Sequence, residues 1–187
     1  MILYLHGFTS GPQSHKAVAL RQRLAALRRE DQFICPQLPA SPAAAVALAE
    51  SLVQQHGITT VVGSSLGGYY ATHLGESFGL KAVLVNPAVV AYLSLEKYLG
   101  PQRWLYTGET FDFTEQHIDE LRAIHHPQLA RLDRYWLLAE EGDETLDYRH
   151  AVARYAGARQ TILTGGDHSF TRWNDFLDDI ITFADSP

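Results

Sequence analysis

Ile58-Thr59-Thr60-Val61-Val62-Gly63-Ser64-Ser65-Leu66-Gly67-Gly68 runs from a β-branched stretch into a cluster of small residues. Leu66 to Phe78 then reads as a helix, closed by Gly79. The pattern G-x-S-x-G between a strand and a helix predicts a sharp elbow that holds one hydroxyl at its tip. Such a bend forces strained backbone angles on its central residue, so the positions two places away must be nearly free of side-chain bulk. Gly63 and Gly67 meet that need, and Gly68 gives helix and strand room to pack closely. The frame selects Ser65, not Ser64. A glycine-serine turn before a helix is also an ordinary N-cap, so the reading draws its weight from the strand before it and the helix after it.

Working outward, short apolar runs alternate with helix-periodic stretches. Ile2 to Leu5, Gln32 to Cys35, Thr59 to Val62, Lys81 to Val85, Tyr135 to Ala139 and Gln160 to Leu163 read as strands. Ser14 to Arg29 has alanine and leucine at helical spacing. Ala43 to Gln55 is a second helix, with Ser41 as N-cap, Pro42 in its first position and Gly57 at its end. Nearly continuous apolar strands imply a sheet covered on both faces. The expectation is an α/β, doubly wound, mostly parallel sheet within one domain spanning residues 1–187. In such sheets ligands sit beyond the carboxyl ends of the strands.

One stretch breaks this rhythm. No strand is read between Val85 and Arg134, yet Tyr92, Tyr98, Trp104, Tyr106, Phe111 and Phe113 lie there. A structureless loop of that length is unusual, and Thr114 to Ile124 reads as a helix capped by Thr114. A small helical cap over the strand ends, roughly residues 90–130, is therefore expected. Tyr92, Trp104 and Tyr106 are its candidate substrate-binding residues, although such rings also serve simply to pack a cap onto a body. Their character suggests an apolar acyl group of small to medium size.

Composition narrows the classes of function. Of the 187 residues, 46% are hydrophobic and 19% charged, ordinary values for a globular chain. The net charge of −6 argues against nucleic acid as a partner, since phosphate binding needs a basic stripe. The single cysteine, Cys35, excludes an internal disulfide framework and reads as a buried strand end. No run approaches a membrane span. Met1 to Leu5 lacks a basic leader and cleavage site, which predicts a cytoplasmic protein.

A serine hydroxyl is a weak nucleophile without a base in reach, and the base is usually a histidine oriented by a carboxylate. Asp143 follows the fifth predicted strand, in Glu140-Glu141-Gly142-Asp143-Glu144. His168 follows the sixth, in Gly165-Gly166-Asp167-His168-Ser169. Three strand ends thus deliver a hydroxyl, a carboxylate and an imidazole to one edge of the sheet, in the chain order serine, acid, histidine. Asp143 has a competing reading as the cap of a helix beginning near Glu144. Glu141, Asp147 and Asp167 lie close by, with Asp147 read a turn into that helix. A second helix, Ser169 to Phe183, is expected after His168. Oxyanion donors are expected at the backbone N–H of Leu66 and of Phe8, in His6-Gly7-Phe8, with the His6 ring bracing that loop. Neither a metal nor an organic cofactor is required.

Leu3-Tyr4-Leu5-His6-Gly7-Phe8, Gly63 to Ala71, Val85-Asn86-Pro87-Ala88-Val89, Thr107-Gly108-Glu109, Gly142 to Arg149 and Gly165 to Phe170 together resemble the YqiA-type esterases over nearly the whole chain. The resemblance implies a minimal α/β-hydrolase fold lacking the first two strands of larger enzymes. It also implies carboxylester hydrolysis, with acyl-CoA thioesters as further substrates, and assigns Ser65 as nucleophile, Asp143 as acid and His168 as base. Asp167 stands where related sequences often have asparagine. The competing expectations are a catalytically silent hydrolase-fold binding module, and an acyltransferase or perhydrolase using the same three residues.

Overall fold

The computed structural model describes residues 1–187. Its strands are β1 (Ile2–Leu5), β2 (Phe33–Ile34), β3 (Thr60–Ser64), β4 (Lys81–Val85), β5 (Gly100–Arg103), β6 (Thr110–Phe113), β7 (Tyr135–Glu140) and β8 (Arg159–Leu163). The helices are α1 (His15–Ala26), α2 (Pro42–His56), α3 (Leu66–Phe78), α4 (Ala91–Ser94), α5 (Glu115–Ala123), α6 (Tyr148–Arg154) and α7 (Leu177–Asp185). Six strands form one sheet in the order β2-β1-β3-β4-β7-β8, and every neighbouring pair in it is parallel. No helix is long and apolar enough to cross a membrane.

Alternation along the strands divides the interior into two cores. Leu3, Leu5, Val61, Ala82, Leu84, Leu137 and Ala139 face α2, α3, α5 and α6. Ile2, Tyr4, Val62, Val83, Val85, Trp136 and Leu138 face α1, α7 and the Phe170–Trp173 turn. Both faces are covered, which explains why the strands read as continuous apolar runs. The chain leaves β1 toward β2 and leaves β3 toward β4, in opposite directions from adjacent strands. The crevice beyond the carboxyl ends of β1 and β3 is thus the switch point where open α/β sheets hold their ligands.

The elbow sits at that point. Ser65 has φ 55° and ψ −120°, a backbone conformation that costs a non-glycine residue about 1–3 kcal/mol. A Cβ on Gly63 would strike the Gly67 carbonyl, and one on Gly67 would strike the Leu5 carbonyl oxygen. The first turn of α3 therefore lies directly on the last residue of β1.

Several elements depart from the sequence reading. The 85–134 segment is not purely helical: β5 and β6 form an antiparallel hairpin, Gly100 opposite Phe113 and Arg103 opposite Thr110. Gly100-Pro101 reads as a breaker, and the hairpin is held by tertiary context. The second strand shrinks to Phe33–Ile34, with a 3-10 turn over Glu30–Gln32 and Cys35 beyond its end, half-buried. Asp147 is not a turn into a helix but the N-cap of α6, accepting from the Arg149 N–H at 3.0 Å. After His168 the chain makes a turn and a 3-10 segment, Trp173–Phe176, before α7 begins. The start of α2 is as read, with the Ala44 N–H donating to Ser41 Oγ at 3.2 Å and Gly57 left-handed at φ 58°.

Gly67→Ala should lower unfolding stability by roughly 3 kcal/mol, at the upper end for overpacking, because the clash is with backbone. Gly57→Ala, whose Cβ meets nothing within 4 Å, should cost roughly 1 kcal/mol for its left-handed backbone alone. Urea denaturation of the two variants checks the ordering, and equal midpoints would contradict it.

Candidate active site

Ser65, His168 and Asp143 meet in one hydrogen-bonded line beyond the carboxyl ends of β3, β8 and β7. His168 Nε2 lies 3.0 Å from Ser65 Oγ. His168 Nδ1 lies 2.8 Å from Asp143 Oδ2 and 3.0 Å from Oδ1. A carboxylate only accepts, so Nδ1 carries the proton, leaving Nε2 as an acceptor for the serine hydroxyl. The Asp143 side chain is 1% exposed and that of His168 23%. Asp143 Oδ1 also accepts from the Thr145 and Leu146 N–H groups, at 2.9 and 2.8 Å. The helix expected near Glu144 does not form, since α6 begins at Tyr148, and Asp143 instead caps the turn at Thr145 and Leu146 with the same carboxylate that meets the imidazole.

The histidine loop is held by polar struts. Glu140, the last residue of β7, is fully buried. Its Oε1 accepts from Arg172 Nε at 2.9 Å, and its Oε2 accepts from the Asp167 N–H at 2.8 Å and the Thr171 N–H at 3.3 Å. Burial alone would raise its carboxyl, but the Arg172 guanidinium and these N–H groups outweigh burial and hold it below the usual glutamate range. Just past β4, Asn86 Nδ2 donates to the Asp167 and His168 carbonyls at 3.0 and 3.2 Å, while its Oδ1 accepts from the Glu140 N–H at 2.9 Å. Glu144 Oε2 accepts the His168 N–H at 3.0 Å. Asp167 Oδ1 accepts the Ser169 N–H at 2.8 Å. Reasoning from sequence missed the work of Asn86, Glu140 and Arg172. A carboxylate closing the apolar run Tyr135 to Ala139 is the signal that marks Glu140, since a buried acid needs partners.

The first loop lies against the serine: a Cβ on Gly7 would stand 3.3 Å from Ser65 Cβ. His6 is buried and braces this loop. The Leu38 N–H donates to His6 Nε2 at 3.0 Å, so Nδ1 carries the proton and donates to the Gly7 carbonyl at 2.9 Å. Burial lowers its basicity, in keeping with a neutral ring. The Phe8 N–H has no acceptor within the protein. Leu66 opens α3, where the N–H groups lack intrahelical acceptors and the helix dipole is positive.

A cavity of about 730 Å³ opens beside these groups, and Ser65, His168, Phe8 and Leu66 all line it. Of the three cap aromatics singled out in the sequence, Tyr106 lines this cavity. Trp104 and Tyr92 do not. Trp104 packs on Phe111 at 4.9 Å and edge-on to His6 at 6.3 Å, and Tyr92 packs edge-on to His125 at 5.4 Å. Both serve packing, Tyr92 from α4 and Trp104 from the turn after β5. Burial pushes the Cys35 thiol up to about 12, so it stays protonated.

The chain matches the family model described as "Uncharacterised protein family (UPF0227)" over residues 1–185. Among solved structures, it is similar to α/β hydrolase domain-containing protein 10 from mouse, at TM-score 0.71 and 16% identity, covering 97% of this chain and 89% of that one. It is similar to a monoacylglycerol lipase from Paleococcus ferrophilus, at TM-score 0.68 and 15% identity, covering 98% and 93%. A third is the esterase domain of a Rhodothermus marinus protein, at TM-score 0.65 and 18% identity, covering 98% and 85%. The fold is that of the α/β hydrolases.

Glu140→Gln should destabilise the protein at pH 7 by about 2 kcal/mol, somewhat less than for a fully buried ion pair because Arg172 is partly exposed. A carboxyl held below its unfolded value contributes stability above that value and loses it as pH falls through the folded one. The gap between wild type and Glu140→Gln should therefore narrow below the usual glutamate range. Urea unfolding at pH 7 and at stepwise lower pH checks both size and direction; a gap independent of pH would contradict the assignment.

Proposed function

The chain belongs to the UPF0227 family of YqiA-type proteins, and from that premise we propose that it is a serine hydrolase cleaving carboxylic esters through an acyl-enzyme. The observation that carries the reading is the 3.0 Å approach of Ser65 Oγ to an imidazole whose other nitrogen faces a buried carboxylate. In this reading His168 Nε2 takes the Ser65 proton as Oγ attacks the ester carbonyl carbon. Negative charge then develops on the carbonyl oxygen and is met by the Leu66 and Phe8 N–H groups. Asp143 holds the imidazolium in place without itself taking the proton. As the intermediate collapses, His168 returns the proton to the leaving oxygen. A water molecule, deprotonated in turn by His168, releases the acid and regenerates the serine.

A thioester follows the same path with a thiol leaving. The esterase and lipase names among the structural neighbours support the ester class. A cavity of about 730 Å³ suits a small molecule. The segment of roughly residues 90–130 acts as its cap: the Leu105 N–H donates to the Thr9 carbonyl at 2.9 Å, tying the cap to the first loop. No step calls on a metal or organic cofactor.

A fluorophosphonate probe should label the wild type, and Ser65→Ala should abolish labelling; labelling that persists in Ser65→Ala would overturn the role of Ser65. On p-nitrophenyl acetate, Asp143→Asn should lower kcat by roughly 10³–10⁴, because the amide no longer enforces the right imidazole tautomer. A loss below tenfold would remove Asp143 from the mechanism.

A further inference from the structure

The cavity beside Ser65 carries charge of one sign. Lys16 and Lys97 line it, and no aspartate or glutamate does, although Asp and Glu outnumber Lys and Arg by 21 to 15 in the chain. Lys97 is exposed, with its ammonium 5.1 Å from the centre of the Tyr98 ring. Lys16 lies deeper, in the first turn of α1. Its Nζ donates to the Ser169 carbonyl at 2.6 Å, which places the ammonium beside the loop that carries His168. An ammonium has three N–H donors, and no other acceptor in the protein takes one from Lys16.

Lys16 also lacks a counter-ion. Asp167 and Glu140 are the carboxylates that act on it, and neither forms an ion pair with it. Asp167 caps the Ser169 N–H, and Glu140 is engaged by Arg172 and two backbone donors. Burial lowers the Lys16 ammonium to about 8 despite both negative charges. A half-buried cation without a counter-ion is unfavourable, and a bound anion would relieve it. Next to it, Ser14 lines the same cavity with a buried hydroxyl that makes no well-formed hydrogen bond, its polar neighbour being the Tyr4 hydroxyl. Ser14 is the N-cap of α1, yet its side chain does not cap that helix. The first N–H groups of α1 add the positive end of the helix dipole.

We propose that the cavity selects esters bearing an anionic group, such as a carboxylate, on the acyl or the leaving side, with Lys16 as counter-ion and the Ser14 hydroxyl as a second donor. The proposal rests on the serine-hydrolase reading of the same site and replaces the apolar acyl group suggested by the cap aromatics. Of the cap aromatics only Tyr98 and Tyr106 line the cavity, and they share its lining with the polar residues Ser14, Lys16 and Ser169.

Two pairs of esters separate the two positions of the charge. The mono-p-nitrophenyl ester of glutaric acid against p-nitrophenyl hexanoate tests the acyl side. The acetate ester of 4-hydroxybenzoate against that of 4-methylphenol tests the leaving side. In at least one pair, the anionic-to-neutral ratio of kcat/KM should fall roughly tenfold or more in Lys16→Met, the range for a charge-assisted hydrogen bond. Lys16→Arg should keep most of that ratio, and Ser14→Ala should lower it to a smaller extent. Ratios that Lys16→Met leaves unchanged in both pairs would overturn the proposal. Fluorophosphonate labelling of the wild type reports on Ser65 separately. Should no ester be turned over, calorimetric binding of the glutarate ester still decides: tenfold weaker binding to Lys16→Met upholds the anion site while the hydrolase reading falls, and equal binding overturns the site as well.

Discussion

The left-handed backbone of Ser65 is the constraint on which the rest of the molecule depends. A serine in that conformation is unfavourable by itself and persists only where its surroundings over-determine it. Its N–H donates to the Val85 carbonyl, and its own carbonyl accepts from Gly68 and Ala88. The bend is thus bonded on both sides to the end of β4 and to the first turn of α3. The same bend drives α3 onto β1, which leaves no volume at Gly63 or Gly67. Position of the hydroxyl, choice of small residues and order of the central strands follow from one pair of dihedral angles.

The imidazole is fixed by different means. β8 is an edge strand of the sheet, and the loop after it has apolar anchors only beyond His168, at Phe170 and Trp173, while Thr164 to Ser169 carry no apolar side chain. Hydrogen bonds do the positioning instead. The Gly142 N–H donates to the Gly165 carbonyl at 2.9 Å, extending the pairing of β7 and β8 past the sheet. Glu140 and Asn86 then hold the loop backbone from below. Such a network places a side chain sharply because each donor has one acceptor, and it is vulnerable because losing one partner leaves a buried polar group unsatisfied.

What the sequence made legible follows the range of the physics involved. The central strands, the caps of α2 and the elbow depend on local pattern and backbone sterics, and each stands within a residue or two of its expected place. The convergence of Ser65, Asp143 and His168 follows from parallel topology, which brings all strand ends to one edge. The β5–β6 hairpin was not legible, since Gly100-Pro101-Gln102-Arg103 has no strand propensity and is extended only by its pairing with Thr110–Phe113. Nor were the directions of Tyr92 and Trp104, because the facing of an aromatic within an irregular segment is a tertiary outcome. Glu140 was visible only as part of an acidic cluster. Its burial depends on Arg172, a residue 32 positions away.

Topology also explains how an acidic protein has a cavity with a cationic wall. In a parallel sheet, the helix that follows a strand begins at that strand's carboxyl end, so helix N-termini gather at the edge where ligands bind. α3 brings its N-terminus under Ser65, where a developing oxyanion is its natural partner. α1 follows β1 by the same rule and brings Ser14 and Lys16 to the lining of the same cavity. The carboxylates of this edge are withdrawn from the cavity because each has backbone or side-chain work elsewhere: Asp143 on Thr145, Leu146 and His168, Glu140 on Arg172, Glu144 on the His168 N–H. The cationic lining of the cavity thus arises from the engagement of its acids as much as from the presence of its lysines, and a net charge of −6 says little about what the cavity attracts.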